Sequence, residues 1–299
     1  MNLAFTIVDV FTATAYAGNP LAIVHEAAEQ PLQLTTDQMQ TIARQMNLSE
    51  TIFITAWDWA ASRFAVRIFT PSKELPFAGH PSIGAAAWLA GRRQGTDRQI
   101  ELMEAVGRIV CEAGWQNGRG HAALTPVALP QPQPVTGPAS AEVAADLQVP
   151  HQAVVGDVEV WSAGLALHFL ELQTPGLVAG IRPPAISGRL QAIDLACFAF
   201  GPGPDEVTTR VFPLAAGITE DPATGAAAVA LAGRIAAKVL AGRDEAVIRV
   251  RQGAEMGRPS ELRLHLHGDN GVLKAVRLSG DVISVAQGQL LHVPVAVGT

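Results

Sequence analysis

Two alanine-rich runs without a charged residue, about half a chain apart, constrain this sequence more than any other feature. Ile83 to Ala90 reads IGAAAWLA and Ala226 to Ala232 reads AAAVALA. Each predicts about two turns of helix that are apolar on every side, and such a helix must be surrounded by other chain. The small residues let neighbouring backbone come close. The runs sit inside a longer repeat. Residues 67–92 contain R-I-F-T-P, G-H-P and GAAAWLAGR; residues 210–234 contain R-V-F-P, E-D-P-A-T and GAAAVALAGR. Gly84 and Gly225 open the alanine runs, and Gly91-Arg92 and Gly233-Arg234 close them.

The material available to surround these helices is mostly strand. AFTIVDVF (4–11) and LAIV (21–24) read as strands separated by a Gly18-Asn19-Pro20 turn. Thr35 to Asn47 predicts an amphipathic helix, with a capping box from Thr35 and Gln38, an apolar face of Met39, Ile42, Ala43 and Met46, and a left-handed end at Asn47. Strands follow at Glu50–Thr55 and Arg63–Phe69, the latter with Phe64, Val66 and Ile68 on one face. LPQPQPVTGP (129–138), with four prolines, predicts a linker. Beyond it, Ser140–Leu147 reads as a short helix, and Val158–Trp161, Leu167–Leu172, Leu195–Phe200 and Val207–Phe212 read as strands. Leu262, Leu264 and Leu266 alternate in the same way. The economical fold is α/β of the α+β kind: two similar halves, residues 1–128 and 129–284, each a sheet wrapped around a central buried helix.

A buried helix start holds unpartnered N–H groups and a partial positive charge, and so favours an anion. The two starts are Ala78-Gly79-His80-Pro81 and Pro222-Ala223-Thr224-Gly225, with glycine for close approach and proline suited to a first turn. A small carboxylate is the expected guest. Three titratable residues accompany them: Glu50 at a helix–strand junction, His80 in the first start, and Asp221 just before the second. Taken alone, Glu50 is equally an exposed turn carboxylate, His80 a backbone-bonded histidine and Asp221 a helix cap. Together, two carboxylates and an imidazole form a kit for proton transfer.

Composition narrows the classes. With 48% hydrophobic and 16% charged residues in 299, the chain can bury a core. A net charge of −6 without a basic block argues against nucleic acid. Cys111 and Cys197 make no metal-type pair. MNLAFTIVDV lacks the layout of a signal peptide, and no stretch reaches the length of a membrane span. A cytoplasmic protein is expected.

LSETIF (48–53), RIFTPSKELPFAGHPSIGAA (67–86), EDPATGAA (220–227), QGAEMGRPS (252–260) and GNPLAIV (18–24) together resemble the PhzF-like family of phenazine-biosynthesis isomerases, nearly end to end and in order. The resemblance implies the diaminopimelate epimerase-like fold, each half a barrel-like, mostly antiparallel sheet around a central buried helix, with a last strand near 285–297 returning to the first half and the site in the cleft between halves. It implies a cofactor-independent isomerisation of the kind performed on trans-2,3-dihydro-3-hydroxyanthranilate, without metal, by a homodimer. Glu50 is then the acid/base, His80 and Asp221 orient the substrate, and Gly79, Ser49, Thr224, Gly225 and Ala226 bind it. Ala226 stands where relatives often carry serine, which bears on substrate identity.

Two other functions remain open from sequence. A non-catalytic small-molecule binder on the same scaffold would keep these residues without turnover. An amino-acid epimerase or racemase of this fold needs two facing thiols, and the corresponding positions hold Ala78 and Pro222. His265 and His267 alternate on a strand with no further ligand at metal-binding spacing. Gly201-Pro202-Gly203-Pro204 is no dinucleotide fingerprint, since its prolines do not open a helix.

Overall fold

The structure is a computed structural model and describes residues 2–93, 98–203 and 205–295. In chain order the elements are β1 (Leu3–Val10), β2 (Asn19–Glu26), α1 (Thr36–Met46), β3 (Glu50–Asp58), β4 (Arg63–Phe69), β5 (Glu74–Leu75), α2 (Gly79–Arg92), β6 (Arg98–Glu104), β7 (Gly107–Gln116) and β8 (Arg119–Leu124). There follow β9 (Gln131–Gln133), α3 (Ser140–Asp146), β10 (Val154–Ser162), β11 (Ala166–Leu172), α4 (Pro175–Ala179), β12 (Asp194–Phe200), β13 (Glu206–Pro213), α5 (Gly225–Val239), β14 (Glu245–Gln252), β15 (Ser260–Asp269) and β16 (Val272–Leu290). The chain divides into two compact units: residues 1–124 with 279–299, and residues 125–278. No helix among the described residues is long and apolar enough to cross a membrane.

Unit 1 is a closed barrel of eight strands in the order β1-β2-β3-β4-β6-β7-β8-β16, with β16 pairing back onto β1. Closure leaves no open edge. Register runs from Leu3 opposite Leu290 to Val10 opposite Val282, with a bulge between Ile7 and Val8. The returning strand thus reaches β1 through residues 282–290, overlapping the 285–297 span read from sequence over 285–290 and ending at Leu290; residues 296 and 297 lie outside the described residues. Unit 2 follows the path β16-β15-β14-β13-β12-β11-β10-β9. The boundaries between units fall at 124/125 and 278/279 rather than at 128/129 and 284/285, because β8 ends at Leu124 and β16 begins before the second boundary.

The succession of elements is the same in each unit. An antiparallel pair (β1–β2, β10–β11) leads through a helix (α1, α4) to a parallel neighbour (β3, β12). That strand pairs antiparallel with the next (β4, β13), and a second helix (α2, α5) carries the chain to another parallel neighbour (β6, β14). Parallel strands require such crossovers. The second crossover helix is the buried one. Every residue of α2 from Gly79 to Ala90 is buried, and α5 is buried at ten positions between Gly225 and Val239.

Local chemistry explains the elements that position the site. Thr35 and Gln38 form the reciprocal capping box, with Gln38 N–H donating to Thr35 Oγ1 at 3.3 Å and Thr35 N–H to Gln38 Oε1 at 2.9 Å. Asn47 closes α1 in the left-handed region at φ 52°, its N–H donating to Ala43 C=O at 3.1 Å. Met39, Ile42 and Ala43 bury the face of α1 against Val24, Phe53 and Phe69. Phe64, Val66 and Ile68 of β4 all point into the core.

Three expectations change. Asn19 and Pro20 are the first residues of β2, opposite Val10 and Asp9, so the turn precedes them; a strand's start tolerates proline. The proline-rich segment contains β9, whose Gln131–Gln133 pair with Ser162–Val160 at the end of the strand path, where proline's missing N–H costs no ladder bond. The alanine runs are not in register: Gly225 opens α5, whereas Gly84 lies five residues inside α2, which opens at Gly79. What the repeats share is the far end of the helix. A Cβ on Gly91 would meet the Trp115 ring at 2.8 Å, and one on Gly233 would meet the Trp161 ring at 2.6 Å.

Candidate active site

In unit 1 the left-handed end of α1 turns the chain through Leu48 and half-buried Ser49 into β3, whose first residue, Glu50, is paired with Leu21 of β2. His80 is the second residue of α2. Its Nδ1 lies 2.9 Å from Glu50 Oε2, with the imidazole 5% and the carboxylate 20% exposed. One proton fits this contact. Placed on Nδ1, it is donated to the carboxylate and leaves Nε2 a lone pair; placed on Glu50, it is donated to the ring and leaves Nε2 as N–H. Nε2 is buried and has no hydrogen-bond partner among the described residues. A buried polar atom in this state fits a ligand contact.

The start of α2 is uncapped. Ala78, the N-cap, has no side-chain acceptor, and the third helical residue is Pro81. Ser82 N–H already donates to Ala78 C=O at 3.2 Å. Helix geometry leaves Gly79 and His80 N–H without an intrahelical acceptor.

Unit 2 solves the same problem with different residues. Thr224 is the N-cap of α5 but makes no capping bond, because its hydroxyl donates to Asp221 Oδ2 at 2.5 Å. Asp221 is therefore not the cap that sequence left open. Gln252, the last residue of β14, holds the turn: its Nε2 donates to Asp221 C=O at 2.7 Å and to Thr224 Oγ1 at 3.1 Å, and its Oε1 accepts from Thr224 N–H at 3.2 Å. Asp221 N–H is anchored on Val211 C=O at 3.1 Å. The neighbouring Glu220 takes both oxygens to Arg210, at 2.8 and 2.7 Å, in a buried bidentate pair. Arg210 also donates to Ile181 C=O at 2.6 Å. Gly225 is buried and Ala226 half-buried, and α5 starts, like α2, with amides that no side chain caps.

In unit 1 the structure thus joins Glu50, His80 and Gly79, with Ser49 preceding Glu50; in unit 2 it joins Asp221 and Thr224 next to Gly225 and Ala226. Sequence reasoning missed the roles of Gln252 and the Arg210–Glu220 pair, whose partners lie 10–31 residues away along the chain. It also missed Glu104, buried with Ile100 and Leu102 on one face of β6. The signal there is a carboxylate in phase with an apolar period of two. Cys111 and Cys197 are buried on β7 and β12, away from both helix starts in sequence, and neither forms a disulfide. His265 and His267 are exposed on β15. In Gly201–Pro204 the first three residues connect β12 to β13, and Pro204 lies outside the described residues.

The profile of a family described as "Phenazine biosynthesis-like protein" matches residues 8–288. An uncharacterized isomerase of Mesorhizobium japonicum is 32% identical, over 96% of this chain and 98% of its own. The trans-2,3-dihydro-3-hydroxyanthranilate isomerase of Pseudomonas chlororaphis is 31% identical, over 96% of this chain and 99% of its own. Among solved structures, a PhzF-family phenazine biosynthesis protein of Bacillus anthracis superposes with a TM-score of 0.83, covering 98% of this chain and 100% of the other at 20% identity. At that identity the superposition speaks for the fold.

Proposed function

The chain belongs to the phenazine biosynthesis-like family and is an isomerase, and on that premise we propose that it moves a proton between two carbons of a small carboxylate-bearing substrate of the trans-2,3-dihydro-3-hydroxyanthranilate type. The observation that carries the reading is the 2.9 Å contact between Glu50 and His80 at the uncapped start of a buried helix.

Glu50 is the acid/base. It takes a proton from an activated carbon, the C–H electron pair shifts along the substrate's double-bond system, and Glu50 returns the proton to a second carbon. The reaction is redox-neutral and balanced with one residue acting twice, so no cofactor is required by the chemistry. His80 steadies the carboxyl through Nδ1 and offers Nε2 to a polar substrate atom. Uncapped helix-start amides suit a substrate carboxylate, at Gly79 in α2 and at Gly225 and Ala226 in α5. Asp221, aimed by Thr224 and Gln252, accepts a hydrogen from a substrate polar group. Ser49 helps place the substrate beside Glu50. Ala226 offers no hydroxyl, which favours a substrate that asks for backbone contact there. The family resemblance supports a cytoplasmic homodimer that acts on a small molecule and engages neither nucleic acid nor membrane.

The test is isotope wash-in. Incubated with substrate in D2O, the protein should place deuterium at the carbon that receives the proton, and Glu50→Gln should abolish this while leaving the unfolding midpoint unchanged. Binding without exchange in the parent protein, or parental exchange in the Gln variant, overturns the proposal.

A further inference from the structure

Beneath the first turn of α2 lies an ionisable group that this mechanism does not use. Glu104 ends β6 and is buried on the barrel interior face with Ile100 and Leu102. Ser82 Oγ lies 2.6 Å from Glu104 Oε1 and 2.7 Å from Ala78 C=O. A serine hydroxyl carries one hydrogen, and a backbone carbonyl can only accept. One hydrogen cannot serve both oxygens: directed at Ala78, in the familiar bond from a helical serine back to the fourth residue before it, it leaves the Glu104 contact without one. The 2.6 Å contact then needs a second hydrogen, and only Glu104 can supply it.

The rest of the environment agrees with a neutral acid. Glu104 Oε2 is buried without a hydrogen-bond partner. An orphaned carbonyl oxygen costs far less than an orphaned carboxylate oxygen. Among the described residues Glu104 has no ion pair, and the charges on the elements packed around it are engaged elsewhere. On β4 and β5, Arg67 is paired with Glu74; Arg63 and, from β7, Arg108 are paired with Glu101 of β6. On α2, Arg92 is paired with Glu29 and His80 with Glu50. Arg98 of β6 donates to Arg93 C=O, and Glu112 of β7 makes its own contacts.

We propose that Glu104 is a positioning residue that works as a neutral acid, locking the N-cap carbonyl of Ala78 through Ser82 and thereby fixing the turn that presents Gly79 N–H and His80. The proposal rests on the reading of His80 and Gly79 as site residues. Burial supports it by pushing the Glu104 carboxyl up to about 7. Above that value the acid loses the hydrogen it gives to Ser82. The single Ser82 hydrogen is then contested by a carboxylate and a carbonyl, and the turn loosens.

The experiment compares the full-length protein with Glu104→Gln, whose amide donates to Ser82 at every pH. Two readouts are taken: backbone amide resonances of Gly79, His80 and Ser82, and kcat and KM for the isomerisation, from about pH 6 to about pH 8.5. In the parent the three amides should shift together with a midpoint near 7, and kcat should fall several-fold relative to the variant while KM changes less. In Glu104→Gln the shared step should vanish. A step with the same midpoint in the variant, or flat amides in the parent, overturns the proposal. The amide readout needs no turnover. If the chain fails to act on the proposed substrate, the amides still decide on Glu104, whereas a failed amide titration leaves the isomerase reading intact.

Discussion

Glu104→Gln also reports on the protonation state of this side chain through folding stability. The carboxyl moves from its ordinary 4.5 in the unfolded chain to about 7 in the folded one, because burial disfavours the charged form. At 1.36 kcal/mol per pH unit that gap is about 3 kcal/mol. The sign follows from proton counting. Below about pH 4.5 both states hold the proton, and the contribution of Glu104 is fully present. As pH rises toward about 7 the unfolded chain releases a proton that the folded chain keeps, so stability is lost over this window. Above about 7 both states are ionised and the loss is complete. Glutamine does not titrate, and the other carboxylates are common to both proteins, so the difference between parent and variant isolates this residue. Urea unfolding followed by tryptophan emission suits the measurement, since Trp57, Trp59, Trp88 and Trp115 lie in unit 1 and only Trp161 in unit 2. The parent should lose about 3 kcal/mol relative to the variant between about pH 4.5 and about pH 7. A gap that stays constant across the window would refute the hydrogen count on which the reasoning depends.

Other substitutions test the remaining parts. Glu220→Gln leaves Arg210 buried without its bidentate partner and should cost about 3–5 kcal/mol in urea unfolding; a cost below about 1 kcal/mol would show that the pair does not hold the strand before Asp221. Gly253→Ala places a Cβ 2.5 Å from the carbonyl oxygens of Arg258 and Pro222, at a φ of +78°. It should cost about 1–3 kcal/mol or more and lower kcat by displacing Gln252, and a silent variant would mean that this turn is not rigid. Ala78→Ser supplies the hydroxyl cap that α2 lacks and should raise stability by up to about 1 kcal/mol. If the substrate carboxylate uses His80 N–H, the same variant raises KM, and an unchanged KM would place the carboxylate elsewhere.

How much of this was legible in the sequence depends on the distance over which each feature is decided. The α1 helix was readable to its caps, because Thr35, Gln38 and Asn47 interact within a few residues. β4 was readable because Phe64, Val66 and Ile68 alternate into one core. The buried helices were readable as buried, since runs without charge have no solvent face, but their register was not. The alanine runs align Gly84 with Gly225, whereas helix starts are set by what lies upstream: Ala78 and Pro81 in one unit, a threonine turned toward Asp221 in the other. β9 was hidden by its prolines, and Gln252 by the 28–31 residues between it and its partners.

The two buried helices reach one end by opposite means. Each has a hydroxyl near its start, and in each that hydroxyl is committed to something other than the first amides. Thr224 sits at the capping position and donates to Asp221. Ser82 lies one turn inside α2, past the capping position, and its hydroxyl is held between Ala78 C=O and Glu104. A helix whose only purpose was stability would use such a group as a cap, since Ser or Thr in place of Ala there is worth about 1 kcal/mol. With alanine at the capping position of α2 and a diverted threonine at that of α5, both helices forgo that gain, and the first amides of each stay uncapped, as the proposed anion contact requires.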